Sequence, residues 1–229
     1  VYCLIVHNNI LYSGSKDGAI RVWNLETNEC ITALLEHTNW VFCLIVHNNI
    51  LYSGSGDTTI RVWNLETNEC ITALLGHTRL VSCLIVHNNK LFSGSKDKTI
   101  CEWNLETNEC ISVLSGRGLD NQVNRLFVHN NILYSGMNDG RIGAFNLDTK
   151  FYAYGTALHG QVGCVYCFIV HNNILYSGTR YGIVRVRVSR NPDECITHLE
   201  HTNNVTGLIA HNNILYSIGG GKIISAWQL

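Results

Sequence analysis

A repeat of about 40 residues runs through the chain and limits the folds that it can adopt. The segment that opens Val-Tyr-Cys-Leu-Ile-Val at residue 1 returns in altered form at residues 41, 81, 123, 165 and 205. The 36 residues from Cys3 onward differ from those from Cys43 onward at only four positions. A chain of this kind folds as copies of one unit, each of which buries its apolar face against the next copy.

Each unit contains four segments with the pattern of a β-strand and none with the period of a helix. In the second unit these segments are residues 41–46, 51–55, 59–63 and 69–74. Asn48 and Asn49 lie between the first two segments, and asparagine tolerates the positive φ of a tight hairpin turn. The sequence therefore predicts an all-β propeller in which each unit forms one blade of four antiparallel strands.

Six blades are visible, and the last one lacks its outer strand because the chain ends after the third strand-like segment. The edge left unpaired would permit a homodimer or an exchange of strands. The chain opens inside a strand pattern and without a methionine. We therefore expect the natural protein to carry earlier residues that end in a strand and a histidine.

The repeats resemble those of the WD40 family over essentially the whole chain. Gly76-His77 is similar to the family's glycine-histidine pair, and Ser53 to Asp57 resembles its second strand and turn. Ile60-Arg61-Val62-Trp63-Asn64 resembles the Trp-Asp ending, with Asn64 in place of the aspartate. The Val-x-Cys-Leu-x-Val pattern is most similar to propellers of F-box/WD and RING/WD proteins. The resemblance implies one propeller domain over residues 1–229, without catalytic activity.

In WD40 proteins a His, a Ser, an Asp and a Trp form a hydrogen-bonded chain inside the blade. The resemblance implies two complete tetrads here: His37, Ser53, Asp57 and Trp63 in blade two, and His77, Ser93, Asp97 and Trp103 in blade three. Later blades depart from this set, with Arg117 and Phe145 in blade four, Tyr181 and Arg187 in blade five, and Gly221 in blade six. We expect those blades to be less rigid, because a partly satisfied buried polar network is costly.

Serine proteases use the same Ser, His and Asp residue types, but hydrolysis needs one exposed nucleophile beside an oxyanion site. Here the trio recurs from blade to blade, so a structural role and no enzymatic activity are predicted.

One rim of the propeller is the predicted binding surface for partners. It is lined by the residue before each turn aspartate and by the residues that flank each leading valine. The residues predicted to bind are Tyr2, Lys16, Trp40, Phe42, Leu80, Lys96, Tyr166 and Arg180. Aromatic and basic side chains are frequent anchors of protein interfaces. The alternative for Tyr2, Phe42 and Tyr166 is the lining of a central pore.

The chemistry of this rim suggests the kind of partner. In F-box/WD receptors, arginines at these positions often grip phosphorylated peptides, whereas the basic residues here are only Lys16, Lys96 and Arg180. A mixed aromatic and basic rim fits an acidic or amphipathic segment better.

Composition argues against several other classes of protein. The net charge of −1 provides no field that would attract nucleic acid or a membrane surface. No apolar run approaches the ~18 residues of a membrane span. Eight of the ten cysteines fall at two repeated positions, such as those of Cys3 and Cys30, where copies should not reach bonding distance. We therefore expect free thiols and an intracellular protein, cytoplasmic or nuclear.

Two further sets of titratable residues need an interpretation. Histidines recur at the first turn, as His7, His47, His87, His129, His171 and His211. No carboxylate recurs beside them, so we predict turn residues and neither a metal site nor a cofactor. Glu102 stands where Val22 and Val62 stand in other blades, and we expect it to be either in a wet pore or paired.

The sequence thus predicts a non-catalytic scaffold that binds proteins or peptides. The alternatives are the substrate-recognition module of a ubiquitin ligase and a self-assembling array of near-identical repeats.

Overall fold

The computed structural model describes residues 1–115, 119–150, 163–188, 191–201, 203–220 and 223–228. These residues form 22 β-strands and, within those ranges, no helix. The strands make six antiparallel sheets, one from each sequence unit, with neighbours in a sheet following chain order. The prediction of an all-β fold built from repeated blades is confirmed. Among the described residues there is no helix long and apolar enough to cross a membrane.

Residues Val1–Leu114 form one compact unit of three four-stranded sheets, blades one to three. Blade one comprises β1 (Cys3–His7), β2 (Ile10–Gly14), β3 (Ile20–Asn24) and β4 (Cys30–Leu34). Blade two comprises β5 (Val41–His47), β6 (Ile50–Ser55), β7 (Ile60–Asn64) and β8 (Cys70–Leu74). Blade three comprises β9 (Val81–His87), β10 (Lys90–Ser95), β11 (Ile100–Asn104) and β12 (Cys110–Leu114).

Residues Ser115–Leu229 form a second compact unit, which contains blades four to six. Blade four comprises β13 (Val123–His129), β14 (Ile132–Met137) and β15 (Ile142–Asn146). Blade five comprises β16 (Val165–His171), β17 (Ile174–Thr179), β18 (Ile183–Val188) and β19 (Asn191–Glu200). Blade six comprises β20 (Val205–His211), β21 (Ile214–Gly219) and β22 (Ile223–Gln228). The segment that would follow β15 falls in residues 151–162, outside the described residues. Blade six shows the three strands that were predicted.

A pair of asparagines fixes the first hairpin of each blade. In blade two, Asn48 and Asn49 have φ values of 47° and 62°, which is the left-handed backbone of a type I′ turn. Asparagine adopts this backbone more readily than other residues with a side chain. The two-residue turn sets the register in which His47 pairs with Ile50.

Neighbouring blades pack through a leading valine that lies on a glycine. A Cβ atom on Gly14 would be 2.7 Å from Cγ1 of Val41, and one on Gly54 would be 2.7 Å from Cγ1 of Val81. Real Cβ contacts are longer than this, so these two positions require glycine. Around the first contact, a cluster of buried side chains joins Tyr12 of blade one to residues of blade two.

Candidate functional site: the polar tetrads and the aromatic rim

The two predicted tetrads are hydrogen-bonded chains inside their blades. In blade two, Nδ1 of His37 lies 2.7 Å from Oδ2 of Asp57, and its Nε2 lies 2.7 Å from Oγ of Ser53. Nε1 of Trp63 donates to the same Oγ at 2.8 Å. In blade three the three corresponding distances are 2.8 Å each, and they join His77, Ser93, Asp97 and Trp103.

The hydrogen-bond chemistry fixes the direction of each bond in a tetrad. An indole N–H can only donate, so Oγ of Ser53 accepts from Trp63. A carboxylate can only accept, so Nδ1 of His37 carries a hydrogen and donates it to Asp57. In the neutral ring Nε2 is then the acceptor, and it accepts the hydroxyl hydrogen of Ser53. Burial would raise the pKa of Asp57, but hydrogen bonds from His37 and Thr59 outweigh burial and hold this pKa below its ordinary value.

The tetrads are placed to join strands. Ser53 and Ser93 are completely buried, and each hydroxyl is shared between a histidine and a tryptophan. A nucleophile has to reach a substrate, which a hydroxyl in this position cannot do. The bonds of blade two link the segment before β5 to β6, β7 and the turn between those strands, so the tetrad ties the blade together.

The later blades lack parts of this chain. Phe145 has no N–H to donate, and Oγ of Ser135 beside it is buried with no hydrogen-bond partner among the described residues. In blade six, Trp227 donates to Ser217 at 3.0 Å, but neither ring nitrogen of the buried His201 has a partner in the described part of the chain. Three of the predicted departures from the tetrad lie outside what the structure describes: Arg117, Gly221 and the side chain of Arg187.

Blade four gives its turn aspartate another partner. The carboxylate of Asp139 lies 2.6 Å from Nη2 of Arg141 and accepts from Nδ2 of Asn121 at 3.0 Å. Burial would raise the pKa of Asp139, but these bonds lower it overall. An arginine pair therefore replaces the histidine bond of blades two and three.

A β-bulge re-aims one predicted rim residue in blade two. Val41 pairs with Ser55 and Cys43 with Gly54, so Phe42 has no residue opposite it. The same shift occurs around Tyr166 in blade five, between Val165 and Cys167. The apolar run of residues 41–46 is typical of a strand buried on both faces and carries no signal of the bulge.

Backbone hydrogen bonds bring the two predicted sets of rim residues together. The N–H of Lys96 donates to the carbonyl of Leu80 at 2.9 Å. The N–H of Arg180, which directly follows β17, donates to the carbonyl of Cys164 at 2.9 Å. Cys164 directly precedes β16, the strand that contains Tyr166. These pairs belong to separate blades, and each stays a predicted binding position.

Four of the predicted rim residues form one cluster, which we call the aromatic patch: Tyr2, Trp40, Phe42 and Lys16. The ring of Tyr2 stacks on Trp40 with centroids 5.4 Å apart and on Phe42 at 5.0 Å. Nζ of Lys16 lies 4.8 Å from the centroid of the Trp40 ring, within the range of a cation–π contact. Tyr2 is 47% exposed and Trp40 is 37% exposed, so the patch is open to solvent.

The first-turn histidines have a role that the sequence did not predict. Nε2 of His7 lies 3.2 Å from Oδ1 of Asn49 in the next blade, and Nδ2 of Asn49 donates to Oε1 of Glu66 at 3.1 Å. His47 reaches Asn89 in the same way at 3.4 Å. These side chains connect neighbouring blades, and no group of residues that could hold a metal ion occurs within the described ranges.

Glu102 is paired, which was one of its two expected states. Its buried carboxylate accepts from Nζ of Lys90 at 2.8 Å and from Oγ of Ser112 at 2.6 Å. The nine cysteines whose side chains the structure describes are free thiols. Burial raises the pKa of the Cys3 thiol to about 11 and that of Cys167 to about 12, so both stay protonated at neutral pH.

Comparisons with known proteins show a match to a family profile and similarity to solved structures. The profile of the family WD40, described as "WD domain, G-beta repeat", matches residues 1–24, 28–64 and 68–104. No curated protein sequence matches the chain. A similar solved structure is the crystal structure of the computationally designed Ika8 protein, with 27% identity and a TM-score of 0.86. The match covers 99% of this chain and 70% of Ika8.

Proposed function

We propose that the chain is a non-catalytic scaffold that binds protein or peptide partners, because residues 1–104 are WD40 repeats. Repeats of this kind generally serve in protein–protein interaction scaffolds. The aromatic patch is the proposed contact site in the first unit. Leu80 and Lys96 extend the proposed surface along blade three, and Tyr166 with Arg180 forms a second proposed contact in the second unit.

The observation that carries this proposal is the exposure of stacked aromatic rings at a position where the repeat does not require them. Trp40 has the counterpart Leu80 in the next unit, and Phe42 has the counterpart Ser82, which is buried and donates to the carbonyl of Gly94. The blade therefore folds without aromatic residues at these positions. Large rigid rings that remain exposed supply contact area with little loss of conformational entropy when a partner binds.

The charges around the patch favour an acidic partner. Lys16 is exposed at the patch, and Arg79 and Lys96 lie along the same rim of blade three. None of these three cations forms an ion pair with a carboxylate of the described residues. A carboxylate of the partner can therefore approach them without breaking an internal salt bridge. We propose an acidic segment with apolar or aromatic side chains as the ligand.

A narrower form of the proposal is that the partners are substrates of a ubiquitin ligase. Its support is the resemblance of the Val-x-Cys-Leu-x-Val pattern to the propellers of F-box/WD and RING/WD proteins. The free thiols support a reducing compartment, and hence a cytoplasmic or nuclear setting for the same function.

Selection from a random peptide library on the immobilised chain tests the proposal. We expect the selected peptides to be acidic and rich in apolar residues, and to bind Trp40→Ala at least about 30-fold more weakly, the scale of a hot-spot residue. Ile71→Ala is the control, since Ile71 is an exposed apolar residue of β8 outside the proposed contacts, and it should bind as the unaltered chain does. Basic peptides, or peptides that bind Trp40→Ala equally well, would contradict the proposal.

A further inference from the structure

A cleft of about 600 Å³ opens between blades one and two of the first unit. Blade one lines it with the end of β4 and the two residues that follow, and blade two lines it with β7, β8 and the loop between them. The volume is in the range of sites that hold small ligands. None of the lining residues belongs to the aromatic patch, so the cleft is a separate surface.

The guanidinium group of Arg61 lies in this cleft with an unused donor. The side chain is only 20% exposed, and its Nε is buried with no hydrogen-bond partner within the described ranges. Nη1 lies 3.5 Å from Oε2 of Glu36, which is long for a charge-assisted hydrogen bond, and 3.6 Å from Sγ of Cys70, which is a weak acceptor. A mostly buried cation in this state favours an acceptor group from outside the chain.

The repeat does not require an arginine at this position. Blade three has the buried Cys101 there, and it still forms all four strands. In blade one, the equivalent Arg21 is paired with the turn aspartate Asp17 at 2.7 Å. In blade two, the turn aspartate Asp57 is held by the histidine of its tetrad instead. Arg61 therefore faces the cleft without the strong internal partner that its counterpart has.

A second unsatisfied group in the cleft is an acceptor. Oδ1 of Asn68 is buried and has no hydrogen-bond partner in the part of the chain that the structure describes. A buried carbonyl oxygen in this state requires a donor. The cleft thus offers a ligand one cationic donor and one neutral acceptor.

The wall that blade one contributes includes main chain as well as side chains. Residues 33–36 all line the cleft, although successive side chains of an extended chain point to opposite faces. The backbone of this segment therefore borders the cleft. β4 is the last strand of its sheet, so the described strands leave one of its edges open. An open strand edge can pair with an extended peptide.

We propose that this cleft binds the C-terminal residues of a peptide in an extended conformation. A peptide C terminus carries a carboxylate and an N–H donor on one residue, which matches the two unsatisfied groups. The carboxylate accepts from Nε and a terminal nitrogen of Arg61 and displaces Glu36, whose side chain is 60% exposed and can turn into solvent. The N–H of the terminal residue donates to Oδ1 of Asn68. An apolar side chain of the peptide packs on Leu35, which is 71% exposed. The site does not depend on the aromatic patch.

The NMR signal of the Nε–H group of Arg61 in the full chain tests this proposal. The probes are acetylated tetrapeptides that together carry each standard amino acid at the C terminus, in one set with a free carboxylate and in another with a terminal amide. We expect a free-carboxylate peptide to move the Arg61 signal to saturation at about 1 mM or below. Its amide should bind at least about tenfold more weakly. A signal that no free-carboxylate peptide moves would overturn the proposal, and so would amides that bind equally well.

Two substitutions should change the affinity in opposite directions, read from the backbone amide signal of Leu35. Arg61→Met removes the donor and should weaken binding at least about tenfold, whereas Glu36→Gln removes the competing carboxylate and should strengthen it. Arg21→Met is the matched control, because Arg21 holds the same position in blade one and does not line the cleft. Unchanged binding by Arg61→Met, or an equal loss in Arg21→Met, would contradict the proposal.

The acceptor is tested in the same way. Asn68 has a φ of 60°, which glycine also adopts, so Asn68→Gly removes the amide and keeps the loop. Binding should weaken about fivefold, the scale of one hydrogen bond. Asn28→Gly is the matched control, because Asn28 has the same φ in blade one and lies outside the cleft. Equal affinities of the two variants would show that Asn68 does not contact the peptide and would overturn this part of the site.

Discussion

Replacing Ser93 with alanine removes the hydroxyl group that joins His77 to Trp103 in blade three. Nε2 of the histidine and Nε1 of the tryptophan each lie 2.8 Å from that hydroxyl, and both rings are buried. The variant leaves two buried polar groups unsatisfied, and each such group costs about 1–3 kcal/mol. We therefore expect Ser93→Ala to lower the free energy of unfolding by about 2–6 kcal/mol.

The same substitution in blade four should have a different effect. Oγ of Ser135 is buried and has no hydrogen-bond partner among the described residues, because Phe145 replaces the tryptophan. Ser135→Ala removes a hydroxyl group that burial alone penalises, so the free energy of unfolding should stay equal or rise by about 1 kcal/mol. Phe145→Trp supplies the missing donor instead. Its indole N–H would donate to Ser135 and should stabilise the blade by about 1 kcal/mol.

Urea unfolding at neutral pH measures all three variants, with tryptophan fluorescence to follow the first unit and circular dichroism to follow the strands. Trp63 and Trp103 report on the first unit, which contains Ser93. Equal losses of stability in Ser93→Ala and Ser135→Ala would refute the reasoning, because the serine would then act through packing and not through the hydrogen bonds of a tetrad.

Three further variants or conditions test other parts of the structure. The pKa values of Asp57 and Asp97 in the folded protein lie below the unfolded value of about 4. The stabilisation from these two carboxylates is therefore complete above pH ~4 and should be lost as the pH falls further. Measuring the unfolding midpoint against pH checks this, and the fall in the midpoint at acid pH should be smaller in Asp57→Asn and Asp97→Asn. Lys90→Ile removes the cation from the buried carboxylate of Glu102 and should cost about 3–5 kcal/mol in the same urea assay. The double variant with Glu102→Val, which carries the residues of blade two at both positions, should regain most of this loss. Gly54→Ala forces a Cβ against the leading valine of blade three and should cost about 1–3 kcal/mol by thermal unfolding.

Local patterns were sufficient to predict the strands, because their signals lie within a few residues of each other. The asparagine pairs demand a two-residue turn, and Ile60 and Val62 alternate with polar or aromatic neighbours as a strand between two blades requires. The all-β fold and the three strands of blade six were predicted in this way.

Interactions between blades were harder to predict. The bond from His7 to Asn49 joins residues 42 positions apart, and the repeat alone does not show that a turn of one blade faces the next. The partner of Glu102 could have been found from sequence, because Lys90 also departs from the repeat and pairs with Asn104, which lies two residues from Glu102 and on the same face of the sheet. The aromatic patch was anticipated as a set of rim residues, but stacking of Tyr2 on Trp40 depends on how two blades pack.

The central claim, that partners bind at the aromatic patch, can be tested through the tryptophan side chains. The chain has five tryptophans, and the indole N–H groups of four donate to a serine inside a blade: Trp23, Trp63, Trp103 and Trp227. Trp40 is the remaining one and lies in the patch. In a ¹⁵N-indole NMR titration with a selected acidic peptide, we predict that the Trp40 signal moves to saturation while the four other signals stay in place. Movement of the other signals with Trp40 unchanged would contradict the claim.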